Sequence, residues 1–308
     1  MWKTFLRPMM IFIPFLLGIC FPAAHHLNWL IRWALIFMLY MVCLRLRPRE
    51  LRPTREHLKL VCANILLGVL PYCILHFLGY ETLALAAFFV GITPTANAAP
   101  VVMGFLPGRV GFVVTGFVMT NAAIALALVF LLPLVTGNRS LDFVGDVAMT
   151  LLFVIGFPAV LALITRIVRP QAQEWPARAQ TLSFSFWSLC LFIIAADASN
   201  FFRNNPGTSW RILIGIALVS LILCILNFGI GYRLGGHRLG RECSQALGQK
   251  NTTLTLFLAL NFVNPLVAMG PIFYVLWHNS YNAFQMFRFD RRRFLRRGRT
   301  VTIVSSEK

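Results

Sequence analysis

Phe88-Phe89-Val90-Gly91-Ile92-Thr93-Pro94-Thr95-Ala96-Asn97-Ala98-Ala99-Pro100 is an apolar run interrupted by glycine, two prolines, two threonines and an asparagine. Pro94 and Pro100 each lack a backbone donor, and each disfavours helix at the residue before it. A segment apolar enough for lipid therefore cannot be one continuous helix. A second stretch reads Glu242-Cys243-Ser244-Gln245-Ala246-Leu247-Gly248-Gln249-Lys250-Asn251-Thr252-Thr253-Leu254, a polar cluster with a central glycine inside an otherwise apolar segment. Either alone is a kink whose freed backbone groups neighbouring helices satisfy. Together, at matching places along the chain, they predict two broken helices.

The rest of the 308 residues sets the solvent. Hydrophobic residues make up 58% and charged residues 12%, against about a quarter charged in a soluble domain. Mean hydropathy is +0.74. Such a chain is neither disordered, nor a disulfide scaffold, nor an ordinary soluble enzyme. It reads as an all-α polytopic membrane protein. The seven cysteines show no CxxC spacing, and all but Cys243 lie in apolar runs. They read as small core residues, with no metal site and no cofactor.

Apolar runs predict ten spans, at roughly 8–24, 28–44, 58–78, 82–106, 110–135, 143–165, 181–202, 211–232, 241–262 and 264–285. The first follows Lys3 and Arg7 like a signal peptide. Ile19 before Cys20, and the poor site around Ala23-Ala24-His25, point to an uncleaved span instead. The net charge is +18. Of the Lys and Arg residues, only Arg32, Arg139, Arg203 and Arg211 fall on the side opposite the N-terminus, and Lys250 falls inside a span. The asymmetry places both termini in the cytoplasm, and it explains the charge without nucleic acid. The basic tail 286–308 either stops the last span or, over 288–299, meets anionic lipid.

Ten spans divide into five and five, 1–137 and 138–285. An odd number per half inserts the halves with opposite orientation, the inverted-repeat plan of many secondary transporters. Both interruptions then fall in the fourth span of their half. Lys250 is the most informative residue. A charge at the bilayer centre costs about 2.5–3.5 kcal/mol, so it either serves a site or snorkels to water. Of the other intramembrane polar residues, Asn121 beside Thr120 is the better candidate. Thr115, Asn227, Asn261 and Asn264 either join the site or serve as helix glue and back-bonded side chains. Asp197, in Ala196-Asp197-Ala198-Ser199-Asn200, sits toward the outer end of its span.

These stretches resemble the bile acid:sodium symporter family. Thr93-Pro94-Thr95-Ala96-Asn97 through Val102-Met103-Gly104-Phe105-Leu106 to Thr120-Asn121 is similar to that family's Pro-Gly-Gly-Thr region and the helix after it. Gly248-Gln249-Lys250-Asn251-Thr252 is similar to its Glu-x-Gly-x-Gln-Asn-Ser motif. Trp277-His278-Asn279-Ser280 is similar to its Trp-His-Asn ending. The resemblance implies a six-helix core of spans three to five and eight to ten, beside a four-helix panel. It implies a substrate site at the crossing of the broken helices and alternating access by relative movement. It also implies candidate substrate- or ion-binding residues: Thr93, Thr95, Asn97, Thr120, Asn121, Gln249, Lys250, Asn251 and Thr252. Three departures weigh against sodium coupling. The family's ion-binding glutamate falls on Ala246 and its glutamine on Lys250, while its Ser-Asn pair falls near Ala99 and Pro100. Lys250 could supply the charge a cation would bring, or couple transport to protons.

The sequence therefore predicts a secondary transporter of a small organic anion in the bacterial inner (plasma) membrane. The alternative is a non-transporting sensor or assembly subunit that reuses the fold. A related ten-span carrier of the auxin-efflux type shares the topology. An enzyme is disfavoured by the lack of HExxH, GxSxG, a Gly-rich phosphate loop or an intramembrane carboxylate pair.

Overall fold

The computed structural model describes residues 13–46, 51–206 and 209–306. The remaining residues of the first predicted span, with Lys3 and Arg7, lie outside the described ones. The described residues are predominantly helical, and the one β-type pairing among them is an isolated antiparallel bridge between Thr95 and Lys250.

Residues 13–20 form α1, followed by a 3-10 turn at Pro22–Leu27. Then come α2 (Trp29–Arg45), α3 (Arg55–Phe77), α4 (Glu81–Ile92), α5 (Ala99–Phe105) and α6 (Val110–Thr136). The second part holds α7 (Leu141–Val168), α8 (Gln180–Asn204), α9 (Trp210–Gly248), α10 (Thr252–Phe262) and α11 (Pro265–Ser306).

Five of these are long and apolar enough to cross a membrane: Arg55–Phe77, Val110–Thr136, Leu141–Val168, Thr181–Asn204 and Trp210–Gly248. Their outward faces carry large apolar side chains, among them Phe77, Leu126, Phe130, Ile167 and Val168. Soluble monomers bury such surface. The chain has the build of a multi-pass membrane protein.

Local sequence explains the irregular places. Pro94 holds Thr93 in an extended conformation (φ −50°, ψ 127°) and ends α4 there. Pro100 sits in the first turn of α5, where its missing donor costs nothing. In α7, Pro158 has no N–H to give the preceding turn, and residues Leu152–Gly156 widen into a π turn. In α9 the chain reverses at Gly236 (φ 54°, ψ −150°), a conformation that a side chain would strain. The two limbs of α9, 210–235 and 240–248, then run back along one another, with Gly231 against Cys243 and Ser244. The basic tail continues α11 as helix to Ser306, consistent with the good helix propensity of arginine. Trp277-His278-Asn279-Ser280 therefore lies within that helix. The side chains of the tail beyond residue 289 lie outside the described ones.

Packing gathers the helices into two groups. In one, α3 pairs with α4, both pack on α9, and α11 packs on α4, α9 and α10. In the other, α2 packs on α7 and α8, and the 3-10 turn lies on α8. Apolar residues of both groups, including Leu35, Phe88, Val154, Ile193, Phe257 and Val267, share one buried cluster.

Candidate functional site

The two interruptions meet. Ala96 N donates to Gln249 O (2.8 Å), and Asn251 N donates to Pro94 O (2.8 Å), around the Thr95–Lys250 bridge. The non-helical residues between α4 and α5 thus pair with those between α9 and α10. Backbone groups that leaving the helix would strand are satisfied across the pair, as an apolar interior demands.

The side chains of the bridge are reciprocal. The Thr95 hydroxyl donates to Ala246 O, four residues before Lys250. The Lys250 ammonium donates to Gly91 O (3.0 Å), four residues before Thr95. Each side chain therefore caps the carbonyl end of the other chain segment's half-helix. The last carbonyls of a helix lack intrahelical donors and carry the negative end of its dipole. A cation at that end contributes about 0.3–1 kcal/mol when exposed and up to ~2 kcal/mol in partly buried settings.

Lys250 is 1% exposed, and among the described residues no carboxylate pairs with it. Its second partner is Asn64 Oδ1 on α3, a residue not singled out from sequence. Asn64 Nδ2 in turn donates to Ile92 O (2.9 Å), the last carbonyl of α4. On the other half-helix, Tyr274 of α11 donates its hydroxyl to Gly248 O (2.7 Å). A sequence signal for Asn64 does exist. Asn64-Ile65-Leu66-Leu67-Gly68 and Asn227-Phe228-Gly229-Ile230-Gly231 share an Asn-x-x-x-Gly spacing just before each broken pair. In both, the glycine lies against the half-helix that follows.

The fifth predicted span, α10 and α11 extend the network. The Thr120 hydroxyl of α6 lies within reach of two acceptors for its one proton, Thr95 Oγ1 (2.9 Å) and Gly116 O (2.8 Å), and Asn121 Nδ2 donates to Thr95 O (2.9 Å) and Phe117 O (2.8 Å). Thr93 meets Thr255 of α10, hydroxyl to hydroxyl at 2.8 Å. Gln249 accepts from Asn282 Nδ2 (2.6 Å), and Asn282 Oδ1 accepts from Gln245 Nε2 (3.1 Å), tying the second break to α11.

Of the residues expected at the site, the structure brings Thr93, Thr95, Thr120, Asn121, Gln249 and Lys250 into this buried network. Thr252 is buried at the start of α10, Asn251 is half-buried, and Asn97 is exposed on the turn before α5. These three flank the network without a side-chain bond within it. Glu242, at the start of the second stretch, accepts from Arg109 N (2.9 Å).

No family model matches this chain, and none of the curated proteins matches it either.

Proposed function

We propose that the chain is a secondary transporter of a small organic anion, working by alternating access between a core and a panel. The observation that carries this reading is the reciprocal Thr95–Lys250 crossing of two broken half-helices. Helix breaks deep in an apolar chain are costly and are retained where they line a site. On this reading the spans number ten, the halves 1–137 and 138–285 are inverted repeats, and both termini are cytoplasmic. The first packing group is the core. The second, with α1, α2, α7 and α8, is the panel.

The same contacts give the chemistry. The ammonium of Lys250 stands at the carbonyl end of α4, where a bound cation would otherwise neutralise the partial charge. The hydroxyl of Thr95 does likewise for the second limb of α9. The crossing carries its own positive charge, so substrate binding needs no sodium there. The opposite ends, at the start of α10, present Asn251, Thr252 and the backbone donors of a first helical turn. Such an end favours an anionic group.

A second reading is favoured by one observation. The oxygens around the crossing are already bonded to the chain's own donors. A network so closed suits a sensor or assembly subunit that keeps one conformation.

Reconstituted protein separates the two. Proteoliposomes tested with organic anions from acetate to cholate should show saturable uptake of one of them without a sodium gradient. Uptake that appears only with sodium would overturn the built-in cation. No uptake, with anion-induced thermal stabilisation retained, would favour the sensor.

A further inference from the structure

His57 stands in the first turn of α3, one residue ahead of the apolar run 58–78. It is fully buried, although Thr54 and Arg55 before it are exposed. Its two ring nitrogens have opposite partners. Thr54 N donates to Nδ1 at 3.0 Å, and Phe112 O lies 2.9 Å from Nε2. A backbone N–H only donates and a carbonyl only accepts. The ring is therefore neutral, with its proton on Nε2, and the backbones of two elements fix that form. The ring also stacks on Phe112 of α6, with centroids 4.0 Å apart.

These bonds close a joint. Nδ1 completes the cap of α3, in which the Thr54 side chain accepts in return from His57 N. Nε2 ties that cap to the first turn of α6. The same stretch of α6 is held twice more. Arg52 N donates to Thr115 Oγ1 (3.2 Å), and Arg109 N donates to Glu242 Oε1 (2.9 Å) on the second limb of α9. A Cβ on Gly116 would stand 3.5 Å from the His57 ring and 3.3 Å from Ala246 Cβ. The joint thus abuts the crossing: Ala246 O takes the Thr95 hydroxyl, and Gly116 O lies 2.8 Å from Thr120 Oγ1.

A second ring proton, on Nδ1, breaks this arrangement. The Thr54 hydroxyl, 2.9 Å from Nδ1, can turn to accept it, and as part of an exposed residue it gives the proton a way in. The Thr54 N–H cannot turn. It would lose its acceptor and face the N–H of a buried cation, which is costly without a paired charge. The packed elements offer none bonded to the ring. On α3, Glu56 is partly exposed and Lys59 exposed. Arg52 ahead of α3 and Arg109 at the start of α6 are exposed, and residues 110–117 carry no titratable side chain. The one charge of α4, Glu81, is at its far end, and α5 has none. From α9, Glu242 is taken by Arg109 N, Cys243 is buried and Arg241 is exposed. From α11, Met286 and Phe289 reach the neighbouring apolar cluster, with Arg288 exposed.

We propose that His57 is a proton-operated latch: uptake of one proton at Nδ1 releases the start of α6 from the cap of α3. The latch does not depend on transport.

The test uses the full-length protein in detergent with Val113→Cys as its only cysteine. Val113 is fully buried on α6 between these bonds, in one cluster with Leu60 and Ala246. Methyl methanethiosulfonate, which is uncharged, should reach it only when the joint opens. A released imidazole titrates near pH ~6.5. A proton bound only in the open form raises the open population as pH falls through that value, by about ten-fold from pH 7.5 to 5.5. Loss of thiolate in acid slows the reagent equally in every variant, so each protein's rate at pH 5.5 is divided by its own rate at pH 7.5. His57→Gln keeps a donor for Phe112 O, His57→Asn keeps an acceptor for Thr54 N–H, and neither titrates. The ratio with His57 in place should exceed that of either variant about ten-fold, and one folded variant suffices for the comparison. Equal ratios would overturn the latch.

Discussion

Lys250 brings a charge to a place with no acid to meet it, and neutral oxygens take it up. Its cost on insertion, about 2.5–3.5 kcal/mol, is comparable to two hydrogen bonds to a charged group, at about 1.5–3 kcal/mol each. Its partners are therefore critical. Asn64→Leu leaves the ammonium with Gly91 O alone and strips Ile92 O of its donor. It should destabilise the protein by about 1.5–3 kcal/mol in detergent melts. Asn227 is as fully buried, yet its amide nitrogen bonds only its own helix and its oxygen has no partner. Asn227→Leu should stay within about 1 kcal/mol of wild type, because replacing an unsatisfied polar group is nearly neutral. Equal losses for the two asparagines would count against the role given to Asn64. Lys250→Gln removes the built-in charge and keeps a donor. On the transporter reading it should make anion binding sodium-dependent, read as a sodium-dependent rise in melting temperature with the anion present.

The helices approach closely where glycine permits it. A Cβ on Gly91 would stand 1.9 Å from Leu67 O, and one on Gly248 would stand 2.4 Å from the Phe228 ring. Backbone cannot swing aside as a side chain can. Gly91→Ala should therefore cost more than Gly248→Ala, with overpacking penalties of about 1–3 kcal/mol as the scale. Gly104, within α5, has open space where a Cβ would stand, with nothing within 4 Å. Gly104→Ala should be neutral or stabilise by about 0.5–1 kcal/mol through helix propensity. The three alanine variants, compared by thermal melts, check whether close approach rather than glycine content shapes the crossing.

The two packing groups touch through few polar contacts. One of them is Arg32 of α2, whose guanidinium lies 5.7 Å from the centre of the Phe257 ring on α10. On the transporter reading, movement of panel against core would break that contact. On that reading, a cysteine pair replacing Arg32 and Phe257, joined by a short bis-maleimide in a background without native cysteines, should abolish uptake. Uptake that survives the cross-link would argue against relative movement at this place. Orientation is tested in the same background. Asn138→Cys, in the turn between α6 and α7, should react with an impermeant maleimide from outside intact cells. His237→Cys, in the reversal of α9, should react only after the membrane is opened. The reverse pattern would invert the charge-based topology.

The amino-acid sequence by itself determined the solvent, the helical class and the places where two helices break. Those properties are local: apolar composition forces lipid, and proline or a polar cluster with glycine interrupts the helix wherever it stands. Lys250 was legible for the same reason, since a charge in an apolar run is visible without any neighbour. Tertiary structure alone decided what the breaks do. That Thr95 lies opposite Lys250, that each caps the other's half-helix, and that Asn64 rather than Glu242 receives the ammonium depend on contacts between distant segments. A single buried asparagine in an apolar run looks the same in sequence whether it bonds its own helix, as Asn227 does, or holds a charge, as Asn64 does. Only the packing of α3 against α4 and the second break tells them apart, because hydrogen-bond partners are chosen by proximity in space.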